Sequence, residues 1–328
     1  MLLGAAAVGQ VRVPPLVVAK VALGHVPGLS GLLSRDWGPA VEAIVWEIRL
    51  PRVTQGAAVG AALGLAGAAL QGMFRNPMAD PYVLGISSGA ALGAALAMIV
   101  GLQVRFLGLT AVPLLALLGA LASICLVYHL ARSGGGLPTV SLLLAGVSVG
   151  TVLAAVVALL MVLAHEQMER IVFWLMGGLA SSRWDQMLAV SPYLALGAAL
   201  LLLRARDLNL LLLGEESARH LGVEVDRAKA WVLGGASLVT AAAVSVSGSI
   251  AFVGLLVPHI ARLLVGPDHR DLLPASALAG AALLVLSDLV ARVAVAPAEL
   301  PVGVVTALLG GPFFLYLLRR SRGRAFPG

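Results

Sequence analysis

Charge is what this chain has least of. Only 12% of its 328 residues are Asp, Glu, Lys or Arg, about half the share in an ordinary soluble domain. The polar surface that would cover a water-soluble body of this size is missing, which excludes a cytosolic enzyme and a disordered regulator. Cysteine is scarcer still. Cys125 stands alone inside an apolar run, so there is no internal disulfide framework, and its expected role is that of a small buried hydrophobe. Acidic residues are fewer than basic ones, 16 against 22, for a net charge of +6. A nucleic-acid partner would need the excess base gathered on one face. Here it is spread between long apolar stretches, where it reads as the flanks of membrane spans.

What the chain has in abundance is apolar length. Sixty per cent of it is hydrophobic, with a mean hydropathy of +0.99. Residues 53–74, 81–104, 106–131, 133–165, 186–203, 230–261, 272–287 and 300–318 contain no Asp, Glu, Lys or Arg. A helix needs about 20 apolar residues to cross a bilayer. The stretch 230–261 would form a helix of about 48 Å, too long for one crossing, so a break is expected at Ser245-Val246-Ser247-Gly248-Ser249. Accepting 274–295 as a span despite Asp288 and Arg292 gives nine crossings from residue 53 onward. Residues 1–24, interrupted by Arg12, Pro14-Pro15 and Lys20, leave no room for a full span. The first helix is therefore expected to be curtailed, or else the native start lies upstream.

Orientation follows from the distribution of Lys and Arg. With Arg319, Arg320, Arg322 and Arg324 in the cytoplasm, 13 of the 22 basic residues fall on that side and 9 outside. Thirty-eight glycines are scattered through the spans with alanine and serine. Small residues at helical spacing let backbones approach closely where lipid removes the hydrophobic drive. The expected fold is thus all-α, a compact polytopic bundle in one domain covering 1–328.

Several enzyme-like motifs fail on context. Gly85-Ile86-Ser87-Ser88-Gly89 lacks the strand-to-helix turn of a nucleophile elbow. His165-Glu166-Gln167-Met168-Glu169 has Glu where a zinc protease needs its second His, and is expected to be an exposed polar loop. Ser133-Gly134-Gly135-Gly136 has no Gly-Lys-Ser/Thr after it and cradles no phosphate. No catalytic residue and no metal site are expected. Two polar features remain. The segment 204–229 is the longest polar interruption on the cytoplasmic side and contains Gly214-Glu215-Glu216-Ser217-Ala218-Arg219-His220-Leu221-Gly222, read as a short amphipathic helix ended by glycine. It is either a solvated connector or a docking helix. On the outer side, Arg49, Arg52 and Arg292 are expected at the water boundary, because an arginine at the bilayer centre costs about 2.5–3.5 kcal/mol. They are either snorkelling flanks or an external cationic surface that receives carboxylates of a soluble partner.

These pieces together resemble the permease subunits of the ATP-binding-cassette importers for iron–siderophores, haem and cobalamin (type II, FecCD-type). The resemblance runs from about Gly9 to Arg320. It rests on Ile48-Arg-Leu-Pro-Arg52, Gln71-Gly-Met-Phe-Arg-Asn-Pro-Met-Ala-Asp-Pro81, Leu84-Gly-Ile-Ser-Ser-Gly-Ala90, Leu142-Leu-Leu-Ala-Gly146 and Trp174-Leu-Met-Gly-Gly178. Leu213-Gly-Glu-Glu-Ser-Ala-Arg-His-Leu-Gly222, Phe252-Val-Gly-Leu-Leu-Val-Pro-His259, Gly266-Pro-Asp-His-Arg270 and Glu299-Leu-Pro-Val-Gly-Val-Val-Thr306 complete it. Most of the first helix is absent before Gly9.

The resemblance implies ten helices, a homodimer with the pathway at its interface, two ATPase subunits below and a periplasmic binding protein above, in the bacterial inner membrane. It implies that Arg49, Arg52 and Arg292 receive the binding protein's glutamates. It assigns Gly214, Glu215, Glu216, Ser217, Ala218, Arg219, Leu221 and Gly222 to ATPase coupling, and Thr139 and Val140 to a cytoplasmic gate. The chain itself would hold no cofactor, ATP and magnesium being bound by the partner ATPase. The cargo would be an iron chelate (siderophore or haem) or cobalamin. The competing class is an ion-coupled secondary transporter, which would need intramembrane carboxylates or broken helices at the midplane.

Overall fold

The computed structural model describes residues 1–9, 11–26, 34–106, 108–132 and 136–321. Expectations placed on Ser133 to Gly135, Arg322 and Arg324 lie outside the described residues. Two short helices open the chain, α1 (Leu2–Ala7) and α2 (Pro15–Gly24). Neither is long enough to span, in line with the Pro14-Pro15 interruption. The chain then forms α3 (Pro39–Phe74), a 36-residue helix with a π-helical stretch at Ile44–Arg49.

A 3₁₀ turn at Pro81–Leu84 leads into α4 (Ile86–Val100). A two-residue hairpin, Arg105–Phe106 against Leu109–Thr110, leads into α5 (Ala111–Ala131). Next come α6 (Thr139–Leu163), α7 (His165–Leu175) and α8 (Trp184–Leu203). The polar interruption holds α9 (Ala205–Leu212) and α10 (Glu215–His220). The last third is α11 (Val225–Ser247), α12 (Val253–Val265), α13 (His269–Val293) and α14 (Val302–Ser321).

Among the described residues six helices, α3, α5, α6, α8, α11 and α13, are long and apolar enough to cross a bilayer. The helices α4, α12 and α14 are apolar too, but 13-residue α12 reaches only about 20 Å. The core is built on α3, whose most apolar stretch is 83% buried, against 17% for α6. Close approach explains how α3 can be central. A methyl group on Gly60 would lie 2.2 Å from the Gly280 carbonyl oxygen of α13, and one on Gly67 would lie 1.8 Å from that of Gly254 in α12. Only hydrogen fits at these crossings. Polar side chains add interhelical bonds of the kind that hold membrane bundles together: Gln55 Nε2 donates to the Val246 carbonyl at 2.9 Å and Gln71 Nε2 to that of Gly254 at 3.3 Å.

Three expectations are corrected. The break between α11 and α12 falls at 248–252, later than the serine-rich stretch suggested. Ser245 and Ser247 bond back to the carbonyls of Ala242 and Ala243 and stay helical, while Gly248 and Phe252 take positive φ and turn the chain. The tyrosine after the other break ties the two together, Tyr82 Oη donating to the Ile250 carbonyl at 2.7 Å and accepting from the Ile250 N–H at 2.9 Å. Residues 165–169 are the first half of α7, an amphipathic helix that buries Ile171, and not a loop. Cys125 is exposed on the outer face of α5, where lipid is an adequate neighbour for a small apolar side chain.

Candidate functional site

The sequence-selected residues gather at the two ends of the bundle. At one end, α3 presents Arg49 and Arg52, α13 presents Asp288 and Arg292, and the connection to α14 presents Glu299. The Arg52 fork is fully used. Its Nε donates to both oxygens of Asp288 at 3.0 and 3.1 Å, Nη2 to Asp288 Oδ1 at 2.9 Å, and Nη1 to Glu299 at 2.7 Å. Arg292 Nε lies 3.1 Å from Asp288 Oδ2 without aiming a hydrogen at it, so that contact is an ion pair rather than a hydrogen bond. Its Nη atoms donate to the Val8 and Ala5 carbonyls. Arg49 donates to the carbonyls of Ala6, Ala7 and Val11. The last carbonyls of a helix have no partner within it, and in α1 the two guanidiniums supply one.

In the chain by itself this arrangement turns inward the arginines that the sequence placed at the water boundary. Arg49, Arg52 and Arg292 are 6%, 7% and 6% exposed, turned inward and satisfied within the chain. Asp288 and Glu299 set that outcome for Arg52 and Arg292, and backbone carbonyls set it for Arg49; the i,i+4 spacing of Asp288 and Arg292 was the one local hint. Beside the cluster opens a crevice of about 800 Å³ between the ends of α3, α7, α8 and α11. Arg52, Glu169, Arg170, Trp174, Gln186 and Glu299 are among its walls.

At the opposite end, α10 stands between two glycines of positive φ, Gly214 at 106° and Gly222 at 87°. Glu216, Ser217, Arg219, Leu221 and Gly222 face outward and Glu215 is half-buried. Ala218 is instead fully buried against Leu211 and Val225 and anchors the helix. Exposed Leu213 and Leu221 (62% and 56%) leave apolar surface beside the charges. Thr139 opens α6, and Val140 behind it is exposed.

Two polar residues missing from the sequence reading organise this end. Lys229 contacts both Thr139 and Glu215. Asn209 of α9 accepts from the His269 N–H at 2.8 Å and donates to Asp268 at 2.6 Å, fastening α9 to the start of α13. Asp268 caps that helix by accepting from the Arg270 N–H at 2.9 Å. Chiefly this bond, then the one from Asn209, holds its carboxyl below the usual carboxylate range. Ser87, the centre of the elbow-like motif, meets only the hydroxyl of Ser249, which is no base. Among the described residues no three His, Cys, Asp or Glu side chains gather as metal ligands.

A family model described as the FecCD transport family matches residues 1–320. A cobalamin import system permease of Halobacterium salinarum is 52% identical over 284 residues, covering 87% of this chain and 75% of its own length. A hemin transport system permease of Yersinia pestis is 42% identical over 313 residues, 94% of this chain and 93% of that protein. A solved inward-facing structure described as a metal-chelate type ABC transporter superposes with a TM-score of 0.79 at 34% identity, covering 93% of this chain and 96% of the other. An all-α polytopic bundle with polar clusters at its two ends and a family match over nearly its whole length leads to one assignment: the chain belongs to the FecCD transport family.

Proposed function

We propose that this chain is the membrane-spanning permease subunit of an ATP-driven importer whose cargo is cobalamin. The reading is carried by the exposed six-residue helix α10, with Leu213 and Leu221 bare beside it. A bilayer crossing needs only a short turn there, whereas a separate ATPase needs a handle. The segment 204–229 is accordingly the cytoplasmic coupling element of a single permease domain, with Glu215, Glu216, Ser217, Arg219, Leu221 and Gly222 on or beside its contact face. The C-terminus lies on the same side, in the cytoplasm of a bacterial cell. ATP and magnesium are bound by two ATPase subunits, and the chain carries no cofactor of its own.

The second copy packs along α6. This is the least buried of the six long helices and presents Val140, Leu144, Val147, Val152, Leu159 and Val162 outward. Thr139 and Val140 gate the pathway between the copies. A soluble binding protein docks over the Arg52 end. Its glutamates are received by Arg49, Arg52 and Arg292, which must first exchange the carbonyls of residues 5–11 and the carboxylates of Asp288 and Glu299 for them. Cobalamin is favoured as cargo by the 52% identity to a permease named for it, and haem is the runner-up.

ATP binding brings the ATPase subunits together, α10 transmits the displacement, and the bundle exchanges two packings that open to opposite sides. The carboxylates of Asp288 and Glu299 are engaged by Arg52, which argues against their serving as ion-coupling sites. The test is uptake of radiolabelled cyanocobalamin into proteoliposomes holding the permease, its ATPase and its binding protein. Uptake should require hydrolysable ATP. Haemin accumulation in place of cyanocobalamin would replace the cargo and keep the permease. Uptake driven by an ion gradient with an inactive ATPase would overturn the reading.

A further inference from the structure

Lys229 is 4% exposed, and nothing in the sequence beyond its place in the polar interruption draws attention to it. An ammonium carries three N–H donors and no acceptor. All three are taken, two by the segment that leads into α6 and one by α10. Nζ donates to the Leu137 carbonyl at 3.1 Å, to Thr139 Oγ1 at 3.3 Å and to the carboxylate of Glu215. One turn earlier on α11, Asp226 accepts from the Leu137 N–H at 2.9 Å. The peptide groups of Leu137 are therefore gripped on both sides by residues three apart on one helix face. Arg219 of α10 lies 3.9 Å from both Glu215 and Asp226 and closes the ring.

The grip answers a mechanical difficulty. The helix α10 is six residues long and flanked by Gly214 and Gly222. With glycines at both ends, a push on α10 would be absorbed by backbone rotation. The side chains of Lys229 and Asp226 span that slack. They belong to the first turns of α11, a helix that is 78% buried over its most apolar stretch. Exposed ion pairs contribute little, but here the ammonium is buried and its loss leaves the Leu137 carbonyl and Glu215 without it.

We propose that Asp226 and Lys229 form a strut joining the coupling helix to the start of α6, so that displacement of Glu215 is delivered to Thr139 and Val140. The inference rests on the ATP-driven permease reading above. The experiment is the ratio of cyanocobalamin imported to ATP hydrolysed in proteoliposomes of the complete importer. Wild type must first import cyanocobalamin with ATP; if it does not, the permease or cargo reading fails rather than the strut. Lys229→Met, which keeps the apolar stem, should leave hydrolysis within about twofold and lower the ratio about tenfold, a coupling of ordinary size. Lys229→Arg should restore most of it. Should Lys229→Met fail to assemble, Asp226→Ala removes the N–H side of the grip together with the Arg219 contact, leaves Lys229 in place and should lower the ratio about fivefold. A purely structural lysine would reduce import and hydrolysis together in proportion to folded complex. That outcome, or an unchanged ratio in either variant, overturns the strut.

Discussion

Replacing Asp288 by leucine tests the buried cluster most directly. The substitution takes away a carboxylate that is 2% exposed and accepts three contacts from Arg52 between 2.9 and 3.1 Å. Breaking a buried pair by removing one partner costs about 3–5 kcal/mol. Arg52 keeps Glu299 at 2.7 Å, and Arg292 keeps its two carbonyls, so the lower bound of about 3 kcal/mol applies. At roughly 2–4 °C per kcal/mol, the midpoint for loss of monodisperse protein on heating in detergent should fall by about 6–12 °C. Removing both partners, as in Arg52→Met with Asp288→Leu, swaps the pair for apolar volume, but Arg292 still loses its carboxylate, so part of the loss is recovered. The double variant should therefore melt closer to wild type than Asp288→Leu alone. Strictly additive losses, or a single-variant loss below about 1 kcal/mol, would refute the description of this cluster as a buried, mutually dependent pair.

Other expectations follow from the same contacts. Gly67→Ala puts a methyl 1.8 Å from the Gly254 carbonyl oxygen and should cost about 1–3 kcal/mol; an unaltered thermal midpoint would show that α3 and α12 do not meet there. Leu221→Asp charges an exposed apolar position beside α10 and should reduce co-purification of the ATPase while leaving the melting midpoint of the permease unchanged. Asp268 is favoured in its ionised form by the bonds from Arg270 and Asn209. Its contribution is present above the unfolded carboxyl value of about 3.9 and lost as pH falls through the lower folded one. Melting midpoints measured from pH 7 to 3 should therefore fall more steeply for wild type than for Asp268→Asn, and parallel curves would contradict the cap.

What could be read in advance was whatever depends on local composition. Charge-free stretches located the apolar helices from α3 to α14, and the glycine-rich pattern anticipated close helix packing without telling which helices meet. The break before α12 was misplaced by a few residues because serines in a helix have a carbonyl one turn back, whereas glycine at 248 has no side chain to oppose a positive φ. Residues 165–169 looked like a loop because counting charges ignores the apolar stripe that buries Ile171. The arginines looked exposed for a different reason. The carboxylate that holds Arg52 lies 236 residues further along the chain, and the carbonyls that hold Arg49 belong to residues 6–11. No local pattern reports such partners. Lys229 was hidden in the same way, since its acceptors converge only when α6, α10 and α11 are in place.

That long separation also sets a condition on biogenesis. A ribosome adding about 5–20 residues per second delivers Asp288 roughly 10–50 seconds after Arg52 has left the exit tunnel. Through that interval the nascent α3 must carry the Arg52 guanidinium without the carboxylate that later holds it. The bundle's most enclosed helix is thus made early, yet its buried cation is matched only once residue 288 has followed it out of the ribosome.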